Sequence, residues 1–189
     1  MKKSVVDRIA AELAAIGEVL DRQEEVSLRI AAEEIYRKAL LLAAASLFEA
    51  KITEAILEHV EEASSSQSVV SFVRNKGLKR QYHTLFNWEA KNVNQFFGLF
   101  GDAVKRNADS RLHADEGLSR GAVAFLRIGR ERNLLVHQDF GSYSLGFTTS
   151  EILSLYSDGM TFVSAVPDIL SAPYEREDGD EDAQESSPT

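Results

Sequence analysis

The chain has 189 residues, no cysteine and a formal net charge of -9. Its length predicts one domain of ordinary size, able to bury a core without metal or disulfide staples. The missing cysteines exclude disulfides, thiolate catalysis, Cys-based zinc sites and iron–sulfur clusters, and leave a cytoplasmic protein as the plain expectation.

In chain order, Met1-Lys2-Lys3 resembles the start of a signal peptide, but Asp7, Arg8, Glu12 and Glu18 interrupt any apolar stretch behind it, so no export signal is expected. Residues 4–63 contain no proline and one glycine, Gly17, and are rich in alanine, leucine, glutamate and isoleucine, which favours helix. Ile9, Leu13, Ile16 and Leu20 form one apolar stripe, and "DRQEE" at 21–25 is expected to break the segment in two. In the second helix Leu28, Ile35 and Leu42 recur at seven and Phe48, Ile52 and Ile56 at four, as in a central core helix. Its most apolar run, "ALLLAAASLF" at 39–48, is far short of the about 20 residues needed to span a bilayer, so no membrane association is expected. "SSSQS" at 64–68 ends it.

"SVVSFVRNKG" at 68–77 reads as a short helix stopped at Gly77, although its valines and Phe72 would also suit a short strand. The following stretch holds the one tryptophan, with Gly98 and Gly101 punctuating it, and predicts short helices with tight turns. Trp88, Phe96, Phe97 and Phe100 are expected in the core rather than as a base-stacking platform. A helix beginning near Ser119 or earlier ends at about His137, before the turn-rich "QDFGSYSLGF". The last helix is expected to be capped by Thr149 or Ser150, with Glu151 in its first turn and Ile152, Leu155, Tyr156 and Phe162 on its apolar face. Residues 173–189 are acidic with few large apolar side chains, and are expected to be a disordered tail.

The net charge hides a strong asymmetry. Residues 1–70 carry 8 basic and 13 acidic side chains, 71–137 carry 12 and 6, 138–172 carry none and 4, and 173–189 carry 1 and 7. The basic middle includes Arg74, Lys76, Lys79, Arg80, Arg120, Arg127, Arg130 and Arg132, which either bind a polyanion or coat solvated helix faces.

Within it lies "RERNLLVHQDF" at 130–140. An arginine separated from a following histidine by four to six residues is a loose pattern that chance readily produces, and it occurs here three times: Arg132 with His137, Arg130 with His137, and Arg106 with His113. At about 100° per residue, Arg130, Asn133 and His137 share a helix face, whereas Arg132 lies about 140° from His137. Either the long arginine side chain closes that gap, or the two groups meet across a symmetric dimer. Without metal or thiol, histidine can move a proton near neutral pH and arginine can clamp a phosphate bidentately. That pair suits RNA cleavage, because the 2′-hydroxyl is an internal nucleophile and the product would be a 2′,3′-cyclic phosphate. The alternative is that Arg130, Arg132 and His137 simply favour the negative end of the helix dipole.

Three segments, "ALLLAAASLFEAKITEAILEHV", "LFNWEAKNVNQFFGLFG" and "RERNLLVHQDF", together resemble the HEPN superfamily, most closely its RiboL-PSP-HEPN branch, over roughly residues 28 to 170. The resemblance implies an all-α, antiparallel helical bundle, here with an extra N-terminal helix in residues 1–25 ahead of a domain at 26–172. It also implies a homodimer in which two copies of the motif form one cleft, and metal-independent endoribonuclease activity with no cofactor. Members act in toxin–antitoxin, phage-defence or RNA-processing systems, so RNA and an antitoxin or regulatory protein are the expected partners. By the same resemblance His137 would be the general acid/base, Arg132 the phosphate clamp and Asn133 the residue orienting either. Glu49 can hold Arg132 in a charge-assisted pair, or serve as an i,i+4 surface partner. His83 and His113 are expected to be bystanders. A non-catalytic HEPN-like module for protein interaction or RNA binding remains the alternative, and the acidic tail could act as a brake lying over the basic stretch.

Overall fold

In the computed structural model, which describes residues 3–171, Ser4 and Asp7 start the first helix reciprocally. Asp7 donates its backbone N–H to Ser4 Oγ at 3.1 Å, and Ser4 donates its own N–H to Asp7 Oδ2 at 3.0 Å. The Ser4 hydroxyl also donates to Asp7 Oδ2 at 2.8 Å, and this bond, then that from the Ser4 N–H, holds the Asp7 carboxyl below its usual range. Helix α1, Val5–Arg22, then turns sharply through Glu24, at φ 55°, into α2, Val26–Ala63. The break falls inside "DRQEE", as its polar run predicts, and Arg29 reaches back to Asp21 at 3.4 Å across it.

Along α2 the burial changes with its neighbours. Leu40, Leu41, Ala44, Phe48, Ile52 and Ile56 are buried beneath the bundle, but Leu28 is 55% and Ile35 58% exposed. The expectation that these two lie in the core is therefore corrected. The first turns of α2 have α1 as their neighbour, which covers only one side of them. On α1, Leu13 is buried and Ile9, Ile16 and Leu20 are half-buried, so that stripe does face inward.

Helix α3, Gln67–Phe72, runs without a break into a π-helical stretch, Val73–Leu78. The helical segment ends at Leu78, one residue past the stop expected at Gly77. The wider π turn carries Leu78 into the core, and the chain reverses two residues later at Arg80, with φ 64°. Short helices α4, Tyr82–Leu85, and α5, Asn94–Gly98, follow, and Gly101, at φ 97°, supplies the left-handed residue ahead of α6, Asp102–Ala114.

Helix α7, Glu116–His137, is capped by Asp115, whose side chain accepts from Leu118 N at 3.0 Å. Helix α8, Thr149–Leu170, is capped one residue earlier than expected, by Thr148, in a capping box with Glu151. Thr148 has the extended backbone a cap needs, so Thr149 and Ser150 are already helical.

The helices pack as an antiparallel bundle: α1 on α2, α7 on α8, and α2 against both members of the second pair. Glycines permit the closest approaches. A Cβ at Gly121 would lie 2.6 Å from the Asp158 carbonyl of α8, and one at Gly159 2.6 Å from the Phe48 ring of α2. Phe48, Phe96, Phe97, Phe125 and Phe162 fill the centre, while Trp88 and Phe100 pack against it, as expected of core aromatics. Among the described residues there is no strand, and no helix is long and apolar enough to cross a membrane. The acidic segment 173–189, expected to be a disordered tail, lies outside the described residues.

Candidate active site at the end of α7

The inner face of α7, including Leu118, Ala122, Phe125, Ile128 and Leu135, is buried in the core. That fixes the rotation of the helix and so decides which side its last two turns present. Arg132 and Asn133 are half-buried and His137 is exposed. All three, with Val136, line a cleft of about 400 Å³, and Glu49 of α2 with Arg80, Tyr82 and His83 complete it. The volume lies within the range of small-ligand sites, roughly 300–1,000 Å³. Around the helix, Val136 and Asn133 fall between Arg132 and His137, so the cleft spans the arc of about 140° that separates them. Arg132 and His137 thus border one cleft within a single protomer.

The wall opposite α7 is held by a chain of rings. Phe86 lies 4.8 Å from Phe125 and 4.5 Å from Phe96, and Trp88 lies 5.7 Å from Tyr82 and 5.8 Å from Phe125, between centroids. Trp88 sits directly on Gly129 of α7, where any side chain would collide with the indole. Its Nε1–H donates to the His83 carbonyl at 3.0 Å. One tryptophan therefore fixes the distance between α7 and the 80–83 segment, and with it the width of the cleft.

Within the cleft, Arg132 Nη1 donates to Asn133 Oδ1 at 3.1 Å, an arrangement in which the asparagine orients the guanidinium. Glu49 lines the same space, but among the described residues no hydrogen bond or ion pair joins it to Arg132 or to an i,i+4 partner. Tyr82 lies between these charges. Burial, then the Glu49 carboxylate, push its phenol well above the usual tyrosine range, while Arg132 pulls the other way. Tyr82 is therefore a neutral hydroxyl throughout the ordinary pH range, a hydrogen-bond donor or acceptor rather than an anion.

Arg80 is the one residue of the basic stretch 74–80 that lines the cleft. Arg74 pairs with Glu61 at 3.2 Å, and Lys76 and Lys79 are exposed nearby in sequence. On α7, Arg130 pairs with Glu89 at 3.1 Å, Arg127 stacks over the Phe147 ring at 4.5 Å, and Arg120 pairs with Asp158 at 3.5 Å. None of these three lines the cleft. His113 is engaged by Asp109, through Nδ1 at 2.7 Å from its carbonyl, and lines a separate cleft with Lys91 and Asn94.

Sequence reasoning missed three features. His83, set aside as a bystander, is exposed and lines the cleft; only the fold-back of α4 onto α7 reveals it. Tyr82 carries no motif. The third is a clamp behind the motif: Lys38, 2% exposed, donates to the Phe140 carbonyl at 2.8 Å and to Glu34 at 3.0 Å, and Arg37 donates to the Phe147 carbonyl at 2.9 Å. Tyr143 ties the same loop to Glu131 at 2.8 Å. Together these contacts secure both ends of the α7–α8 connection and hence the last turn that carries His137.

A scan against protein-family models matches residues 7–172 to RiboL-PSP-HEPN, a span that takes in most of α1 and all of α2 to α8. A search of the curated proteins and a search of the solved structures found no match. With the match covering nearly the whole helical bundle, the chain belongs to the RiboL-PSP-HEPN family, a HEPN-type family.

Proposed function

We propose that the protein is a metal-independent endoribonuclease. The observation that carries this reading is the convergence of Arg132, Asn133 and His137 with Arg80 and Tyr82 on one cleft, in a chain of HEPN type. Arg132 and Arg80 bind the scissile phosphate and offset the charge that grows on it. His137 exchanges a proton at a reacting oxygen, and Asn133 keeps the Arg132 guanidinium in place. The 2′-oxygen attacks phosphorus, the bond from phosphorus to the 5′-oxygen breaks, and a 2′,3′-cyclic phosphate and a free 5′-hydroxyl result. Action as a cytoplasmic homodimer, an antitoxin or regulatory protein partner, and a place in a toxin–antitoxin, phage-defence or RNA-processing system belong to the same proposal.

Purified protein incubated with RNA should cleave it equally with and without EDTA. Arg132→Ala and His137→Ala should each lower the rate about 10²-fold or more. If both variants cleave like the wild type, the mechanism is wrong. RNA left intact by the wild type, with a marked loss of stability in Arg132→Ala, would instead support a non-catalytic binding module.

A further inference from the structure

We propose that Lys38 is a positioning residue for the cleavage reaction: buried on α2, it holds the last turn of α7 in the place where His137 can act. The inference rests on the ribonuclease reading above and adds to it a residue that never touches the substrate. Its role is the same whether His137 works with Arg132 of its own chain or with that of a second copy.

After Leu135 no side chain is buried until Leu145, so apolar packing does not hold the stretch that carries His137. Helix ends fray unless partners outside the helix secure them, and α7 ends within this stretch. Here the securing contacts are polar. Gln138 donates its N–H to the Leu134 carbonyl at 3.0 Å and closes the last turn. Two residues further on, Lys38 Nζ donates to the Phe140 carbonyl at 2.8 Å and lies 5.1 Å from the centre of the Phe140 ring. Tyr143 ties the loop back to Glu131 of α7 itself, and Arg37 holds the far end of the loop at Phe147. Of these three tethers, Lys38 is the one that joins the His137 end of the loop to a second helix. That helix also supplies Glu49 to the cleft, about 20° around α2 from Lys38 and about 16 Å along it.

The choice of a lysine needs a reason beyond stability. Among the described residues Lys38 is the one buried polar or charged side chain. Burial of an ammonium is unfavourable unless its protons find acceptors, and an apolar side chain of similar volume in its place is often neutral or stabilising. What the apolar side chain cannot do is fix the Phe140 carbonyl at hydrogen-bond distance. Lys38→Met removes that grip at little cost to the fold, because the Glu34 side chain is 44% and Phe140 45% exposed, so water can replace the ammonium at both.

The test compares wild type, Lys38→Met and Lys38→Arg by melting temperature, by kcat and KM on single-stranded RNA, and by amide hydrogen exchange of the RNA-free proteins. Lys38→Met should melt at or above the wild-type temperature, yet lose about 10- to 100-fold in kcat with KM unchanged. Its Gln138 amide should exchange about 10-fold faster or more, while that of Phe125, deep in the same helix, keeps its wild-type rate. Lys38→Arg, which retains a cationic donor, should keep more of the kcat. Wild-type kcat in Lys38→Met overturns the assignment. So does a loss of kcat accompanied by a lower melting temperature and an equal rise in exchange at Gln138 and Phe125, since that marks a structural role alone. Cleavage by wild type with no effect of Lys38→Met removes this inference alone, whereas no cleavage by wild type removes the ribonuclease reading with it.

Discussion

Tyr82 joins the electrostatics of the cleft to the stability of the fold. Its phenol is pushed up by burial and by Glu49 more than Arg132 draws it down. A group whose folded pKa is raised contributes stability that is complete below its unfolded pKa, here about 10 for tyrosine, and lost as pH rises beyond it. Urea-unfolding free energies should therefore fall from about pH 10 upward, and Tyr82→Phe should make that fall shallower. An identical slope in the two proteins would mean that Tyr82 ionises freely in the folded state. At this scale the sequence was informative about Arg132, Asn133 and His137, because a motif is a local spacing. It gave no sign of Tyr82 and set His83 aside, because their cleft neighbours come from α2, some thirty residues before them, and from α7, about fifty residues after.

At the scale of elements, the pairing of α7 with the 80–88 segment sets the cleft. Gly129 lies in the middle of a helix, where alanine would be favoured by about 1 kcal/mol on propensity alone. The indole of Trp88 occupies the space a side chain would need. Gly129→Ala should thus destabilise the protein by about 1–3 kcal/mol, as overpacking does, and displace the ring. The chain has one tryptophan, so the shift in its fluorescence reports the displacement directly. On the ribonuclease reading the same variant should also impair cleavage, because Trp88 joins α7 to the 80–83 segment across the cleft that Arg132 and His137 line. Unchanged emission and melting temperature would show that the contact is slack. Element boundaries near polar runs and caps were legible: "DRQEE" breaks the first hairpin, and the capping box sits within two residues of where it was sought. The end of the helical segment 67–78 was legible to within a residue, falling at Leu78 just beyond Gly77.

For the whole molecule, the open question is whether each working cleft is made by one chain or by two. A homodimer would elute at twice the 20.9 kDa of the chain. Arg132 and His137 border one cleft of a single protomer, so mixing the inactive Arg132→Ala and His137→Ala proteins should not restore cleavage. Recovery toward a fraction of the wild-type rate would show instead that the two groups act across the dimer. The exposed Leu28 and Ile35 belong to this scale as well. Their heptad spacing is a sound helix signal, but spacing does not specify which side of a helix meets a neighbour and which is left bare.

By itself the sequence determined the all-α class, the α1–α2 break, the aromatic core and the motif at the end of α7, because each is written in spacing, propensity or composition over a few turns. Tertiary structure alone decided that Arg132 and His137 meet on one cleft, that Arg130, Arg127 and Arg120 do not join them, and that Tyr82, His83 and Arg80 form the facing wall. The reason is physical. Helix rotation and the docking of a distant segment are fixed by which apolar faces find partners and by where a glycine lets a ring come close. Both are properties of pairs of elements, which no single stretch of sequence contains.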